Sequence, residues 1–178
     1  FLTHNTVVRE GRCVNKTTGK VIKACVPMHT FGHPCEIEAI CEIAAQYGLL
    51  VIEDSTEALG SLVSGRHVGT FGTMGTLSFN GNKIITTGGG GAVLTDDPET
   101  YAKLKHMTTT AKVPDQWEYI HDEVGYNFRL PNLNAALGCA QMDKLPAFIE
   151  SKRRLAAKYA ESFERLTEAR LFSEADES

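Results

Sequence analysis

Apolar and polar positions along the chain alternate between short apolar runs and amphipathic stretches. Val21 to Met28 has apolar and β-branched residues ahead of Pro27 and reads as a strand. Glu36 to Tyr47 reads as a helix. Ile37, Ile40, Ala44 and Tyr47 fall on one face, Glu36 and Glu38 sit in the first turn, and Gly48 supplies the stop. Leu49 to Ile52 is all apolar, as suits a strand buried on both faces. These three make a β–α–β unit with an expected right-handed crossover. Met74 to Phe79 and Ala92 to Leu94 are two further apolar segments. Asp97 is placed to cap a helix that has Pro98 at its first position and Glu99 in its first turn.

Thr108 to Asn127 is polar, aromatic and irregular, which predicts a long loop of the kind that carries function. Pro131 opens a helix through Leu145 with Leu133, Leu137 and Ala140 on one face. A charged helix is expected from Ala147 to about Leu166, and Ser173 to Ser178 are expected to fray. Strands alternating with helices predict an α/β fold with a mainly parallel sheet. Sites in such sheets lie at the carboxyl ends of the strands, which points to Glu53, Asp54, Asn80 and Lys83.

Composition narrows the classes. The chain has 178 residues and a formal net charge of −4, so neither nucleic acid nor an anionic membrane surface is an expected partner. It contains no apolar run long enough to span a bilayer and no signal-peptide pattern at Phe1 to Glu10. Five cysteines without a CxxC pair suit reduced thiols and a cytoplasmic setting. The chain starts at Phe1 rather than Met and is expected to be an internal fragment.

Three strand-end residues carry the chemistry: Asp54, Ser78 and Lys83. Lys83 follows a Phe-Asn-Gly-Asn turn and precedes the glycines Gly88 to Gly91. A lysine made reactive by its surroundings can bond covalently to a carbonyl cofactor. With an aspartate for a pyridinium nitrogen, the pair has the ingredients of a pyridoxal-phosphate site. Each residue alone also has a plain reading: a surface lysine, a turn aspartate, a tight glycine turn. Residue patterns alone reach an α/β enzyme with a candidate lysine. A zinc site from Cys25, His29, His33, Cys35 and Cys41 is a rival, but Cys25 falls in a strand and Cys41 in a helix, where core thiols are expected.

Five segments in order, Val51-Ile-Glu-Asp-Ser-Thr-Glu57, Gly69-Thr-Phe-Gly72, Leu77-Ser-Phe-Asn-Gly-Asn-Lys83, Thr86-Thr-Gly-Gly-Gly-Gly91 and Gly125-Tyr-Asn-Phe-Arg129, resemble the signatures of the DegT/StrS-type sugar aminotransferases. The resemblance runs from about Val26 to Leu145. It implies the large domain of a fold-type-I pyridoxal-phosphate enzyme: a three-layer α/β sandwich with a mainly parallel mixed sheet. Residues 1–145 would be part of that domain, and 146–178 a helix leading to a small C-terminal domain. It also implies transfer of an amino group, with glutamate as donor, to a nucleotide-linked 4-keto sugar.

The implied roles are residue-specific. Lys83 would carry pyridoxal phosphate and shuttle a proton. Asp54 would pair with the pyridinium nitrogen, Ser78 would hold the phosphate, and Glu57 would lie near the cofactor hydroxyl. Asn127 would reach the phosphate in a neighbouring subunit of a homodimer, and Arg129 would take an anionic group of substrate or donor. Gly89 stands where many members have an acid, and this resembles the branch making 4-amino sugars such as legionaminic acid or bacillosamine. Relatives with histidine at the lysine position act as dehydratases, and Lys83 argues against that. The upstream segment that gives such enzymes a cofactor-stacking aromatic is absent, so the fragment is expected to hold cofactor weakly. A non-catalytic assembly fragment is the alternative.

Overall fold

The computed structural model describes residues 1–164, 166 and 168–172, so the expected fraying of Ser173 to Ser178 lies outside the described residues. A short helix α1 (Leu2–Asn5) leads into an antiparallel three-stranded sheet of β1 (Thr6–Arg9), β2 (Arg12–Asn15) and β3 (Val21–Ile22). The main sheet follows: β4 (Ala24–Cys25), β5 (Leu50–Asp54), β8 (Met74–Ser78) and β9 (Gly91–Leu94), in that spatial order. Its first three strands are parallel and β9 is antiparallel to β8. Between β5 and β8 a small hairpin pairs β6 (Leu62–Val63) with β7 (Arg66–His67). The helices are α2 (Ile37–Gln46), α3 (Pro98–Thr108), α4 (Asn132–Met142) and α5 (Leu145–Phe163). The mixed α/β sheet is the one expected from the sequence. Among the described residues, no helix is long and apolar enough to cross a membrane.

Helix α2 packs on β5 through its predicted face. Ile37 and Ala44 are buried with Val51 in one cluster, flanked by Cys35, Cys41, Leu49 and Phe71. Asp97 caps α3, its carboxylate accepting the Thr100 amide at 2.9 Å.

Several boundaries differ from the sequence reading. Val21 to Met28 is two strands in two sheets: Val21 and Ile22 pair antiparallel with β2, whereas Ala24 and Cys25 run parallel to β5. Periodicity cannot reveal a change of partner at Lys23. The 108–127 stretch is not structureless, since bridges at Thr109–Asn127 and Lys112–His121 fold it back on itself. The expected helix from Pro131 to Leu145 ends at Met142, and α5 begins at Leu145 with Pro146 in its first turn.

On α4 the packed side was misread. Leu133 is 87% exposed and Leu137 is also exposed. The adjacent stripe, about 100° round the helix, makes the contact: Asn134 donates to the Thr87 carbonyl and Gln141 accepts the Thr86 amide at 2.9 Å. Gly138 permits that approach, because a Cβ there would lie 2.9 Å from the Thr87 methyl. Small and polar residues win this face because the segment it meets is backbone.

Beneath the strand ends sits a buried carboxylate. Val51 and Glu53 alternate onto the α2 side of β5, and Glu53 is fully buried. One Glu53 oxygen accepts the Gly69 amide at 2.7 Å and meets His29 Nε2 at 3.1 Å. The other accepts the Phe71 and Gly72 amides, both at 2.7 Å. His29 Nδ1 accepts the Cys35 amide at 3.2 Å, so the ring proton lies on Nε2 and is donated to Glu53. Two glycines make this loop possible. Gly69 has φ +88, and a Cβ on Gly72 would stand 2.5 Å from the Val51 carbonyl oxygen.

Burial pushes the Glu53 carboxyl upward, but the His29 bond and the three amides outweigh it and hold it below its ordinary value. The carboxylate therefore contributes stability that is full above the unfolded pKa of about 4.3. That contribution is lost as pH falls through the lower folded value. We expect Glu53→Gln to cost about 3–5 kcal/mol near neutral pH, since it leaves buried donors unmatched. Urea unfolding from about pH 7 to about pH 3 should show the gap to wild type narrowing in acid. A gap that is absent, or constant over this range, would refute the role given to the carboxylate.

Candidate active site

The neighbours of Glu53 point the other way. Asp54 pairs with Thr76 across the parallel β5–β8 ladder, and Ser78 lies two residues further along the same face of β8. Asp54 and Ser78 thus lie at the carboxyl ends of adjacent strands, on the face opposite Glu53. Asp54 Oδ1 accepts from the Thr56 hydroxyl at 2.7 Å and the Thr56 amide at 3.2 Å, which fixes the carboxylate's rotamer. Ser78 Oγ accepts the Asn80 amide at 3.3 Å, leaving its own proton to donate.

Lys83 sits on the excursion between β8 and β9. The base of that loop is tied by Phe79 N to the Gly90 carbonyl at 3.1 Å and by Thr87 N to the Phe79 carbonyl at 3.0 Å. Ile85 is buried just beyond the lysine and anchors the tip. Lys83 Nζ lies 3.3 Å from Glu57 Oε1, with side-chain exposures of 16% and 32% for the two partners. The other Glu57 oxygen accepts the Phe31 amide at 2.9 Å. That amide, followed by Lys83, holds the Glu57 carboxyl below its ordinary value. Asp54 ends β5 three residues before Glu57 and holds the intervening Thr56 through its Oδ1, and Glu57 meets Lys83. The three predicted residues Asp54, Glu57 and Lys83 therefore form one neighbourhood.

Asn127 and Arg129 lie elsewhere. Asn127 pairs with Thr109 at the base of the 108–127 excursion. Arg129 follows the stacked Tyr126–Phe128 rings and lines a separate groove of about 690 Å³ with Tyr101 and Lys105. Lys83 and Glu57 line a groove of about 920 Å³ with α5 as its far wall.

Glu53, placed by its strand-end position among the residues of interest, is a buried structural carboxylate. Strict alternation along β5 carries the signal, since Val51 and Glu53 share the core side. His29, a member of the rival zinc cluster in the sequence reading, and Phe31, which that reading does not single out, both shape this end of the sheet. With both ring nitrogens of His29 engaged, the ring is not available to a metal ion. Among the described residues, the one group with metal-compatible spacing is His106, Asp122 and Glu123, and Lys103 already binds Glu123 at 2.6 Å.

The donor set fits pyridoxal phosphate: an amine for its aldehyde, a fixed carboxylate for a ring nitrogen, and a hydroxyl donor for a phosphate. Comparison with known proteins agrees. The chain is 42% identical over 159 residues to a GDP-perosamine synthase of Escherichia coli O157:H7, covering 89% of this chain and 42% of that protein. It is 38% identical over 141 residues to a UDP-N-acetyl-3-dehydro-alpha-D-glucosamine 3-aminotransferase of Acidithiobacillus ferrooxidans, covering 78% of this chain and 37% of the relative. Helicobacter pylori PseC, an aminotransferase involved in pseudoaminic acid biosynthesis, superposes with a TM-score of 0.79 at 32% identity, over 82% of this chain and 39% of that one. The chain thus spans about two fifths of the length of these proteins. Residues 6–178 match the DegT/DnrJ/EryC1/StrS aminotransferase family, whose aminotransferases depend on pyridoxal phosphate, and the chain belongs to that family.

Proposed function

We propose that the protein carrying this chain transfers an amino group to a nucleotide-linked keto sugar, with glutamate as donor and pyridoxal phosphate bound at Lys83. The observation that carries the reading is the Asp54–Glu57–Lys83 neighbourhood at the carboxyl ends of β5 and β8. The cofactor supplies an electron sink for a carbanion at the carbon that gains or loses the amine. The chain's own residues do the rest. Lys83 provides the covalent attachment and, once free, a base at that carbon. Asp54, its rotamer set by Thr56, keeps a ring nitrogen positively charged. Ser78 offers its hydroxyl proton to a phosphate. Glu57 holds the Lys83 ammonium in place until the amine is needed.

The names of the relatives support a nucleotide-linked sugar, and they include both a perosamine synthase and a 3-aminotransferase. The 4-keto position is our reading of the Gly89 substitution in the glycine run. We further propose a homodimer, in which residues 1–145 belong to the cofactor-binding domain and α5 leads toward a smaller one. The separation of Asn127 from the Lys83 groove supports it. So does exposed apolar surface: Trp117 and Tyr119 are each 81% exposed, and Leu133 of α4 is 87% exposed. Asn127 would serve the neighbour's phosphate, and Arg129 an anionic group of substrate or donor.

Two outcomes are expected. Borohydride reduction of the cofactor-loaded full-length protein, followed by peptide mapping, should place the pyridoxyl label on Lys83; label on Lys105 or Lys112 instead would overturn the assignment. Separately, Lys83→Ala and Asn127→Ala proteins should each be nearly inactive, and mixing them under subunit exchange should restore up to about a quarter of wild-type activity by mass action. Absence of any recovery in verified hybrids would mean that each site is built from one chain.

A further inference from the structure

Lys83 is presented by a loop, and a loop holds a side chain in place only where other parts of the fold tie it. Before the lysine the ties are local. Lys83 N donates to the Asn80 carbonyl at 3.1 Å, and Asn80 Nδ2 donates to Asn82 Oδ1 at 3.1 Å. After the lysine the loop turns into the protein. Ile85 is buried, and the Thr86 hydroxyl donates to the Phe79 carbonyl at 3.0 Å. The Thr86 amide then reaches across to another element: it donates to Gln141 Oε1 of α4 at 2.9 Å. Thr86 is only three residues past Lys83, so this bond fixes the loop close to the amine.

Three positions of α4 meet the same short stretch. Asn134, Gly138 and Gln141 are spaced by four and three, which puts them on one stripe of the helix. Gln141 takes the Thr86 amide, Asn134 Nδ2 donates to the Thr87 carbonyl, and Gly138 lets the helix close on the Thr87 methyl. Asn134 and Gln141 are half-buried and Thr87 is buried, so these bonds are largely shielded from water. The glycine run allows the approach from the other side. Gly90 has φ +94, and a Cβ on it would stand 2.8 Å from the Leu130 methyl just ahead of α4. The loop is thus clamped to a helix by one side chain that accepts and one that donates.

We propose that Gln141 and Asn134 are positioning residues for the reaction: they fix the 80–90 loop so that the Lys83 amine stands where the cofactor aldehyde can reach it. The inference rests on the reading that Lys83 carries pyridoxal phosphate, and adds what holds the lysine there. In that attachment the lysine nitrogen bonds to the aldehyde carbon and the aldehyde oxygen leaves as water. If Gln141 is lost, the Thr86 amide is left unmatched in a shielded place, and the loop regains a partner only by moving, with Lys83 on it. The two contacts have opposite polarity. Thr86 offers a hydrogen, so position 141 must accept, and glutamate suffices there. The Thr87 carbonyl needs a hydrogen, so position 134 must donate, and aspartate fails there. Both side chains act on Lys83 through backbone, so cofactor binding that does not involve the amine is spared.

The test titrates the full-length protein carrying this chain, freed of cofactor, with pyridoxal phosphate and separately with pyridoxamine phosphate. The first has an aldehyde for the lysine to bond; the second does not, and reports on the rest of the pocket. Gln141→Leu should raise the Kd of pyridoxal phosphate about 10-fold, as expected for a buried amide left without its acceptor, and that of pyridoxamine phosphate by less than about 2-fold. Gln141→Glu should keep both values, and Asn134→Asp should behave as Gln141→Leu does. Thermal melts check that each variant folds, and Asn134→Asp carries the test if Gln141→Leu does not. Amide exchange in the cofactor-free protein gives a second readout: faster at Thr86 in Gln141→Leu, unchanged in Gln141→Glu. Equal weakening of both ligands, no weakening of either, or the same behaviour of leucine and glutamate at 141 would overturn the proposal. Lys83→Ala separates it from the reading beneath. That variant should lose the tighter binding of pyridoxal phosphate over pyridoxamine phosphate; if the difference survives, Lys83 is not the attachment site and that reading falls as well.

Discussion

The carboxylate of Glu53 is the interaction on which this end of the molecule depends. A charged group with no exposure to water must be matched where it stands, and four donors converge on its two oxygens. Those donors come from two loops distant in sequence, at His29 and at Gly69 to Gly72. The first loop carries Phe31 and meets Glu57. The second runs straight into β8, whose far end carries Ser78. One buried charge thus sets the spacing of the segments around the candidate lysine.

The alternation of β5 then divides the labour. Glu53 faces inward to the fold and Asp54 outward to the candidate site, one residue apart with the same functional group. A strand is the element that can do this, because consecutive side chains leave opposite faces. Stability and chemistry are therefore coupled through a single backbone. A change at Glu53 would be felt at Asp54 without any direct contact between Glu53 and ligand.

Much of this was legible in the sequence because it depends on local rules. The apolar face of α2, the Asp97 cap, the strand following α2 and the strand-end position of Asp54 all follow from spacing and cap chemistry. The expected burial of Leu49 to Ile52 on both faces does not hold, because Leu50 is 48% exposed and only Val51 of the run is buried. The ordered motifs around Asp54, Ser78 and Lys83 pointed to the family that the comparisons establish. What escaped depends on tertiary partners. The split of Val21 to Met28 between two sheets reflects a change of neighbour, not of propensity. The α4 contact uses Asn134, Gly138 and Gln141 because its partner is backbone at Thr86 and Thr87, whereas an apolar count favours the leucines. The turn at Phe31 rests on a positive φ, which a phenylalanine in the sequence gives no reason to expect.

The most direct test of the central claim, that the end of β5 turns one carboxylate to the fold and the next to the cofactor, is nitrogen NMR on full-length protein loaded with ring-15N pyridoxal phosphate. The account predicts a protonated ring nitrogen in wild type at neutral pH, its loss in Asp54→Ala, and its retention in a folded Glu57→Gln protein. A ring nitrogen that stays protonated in Asp54→Ala, or is unprotonated in wild type, would contradict it.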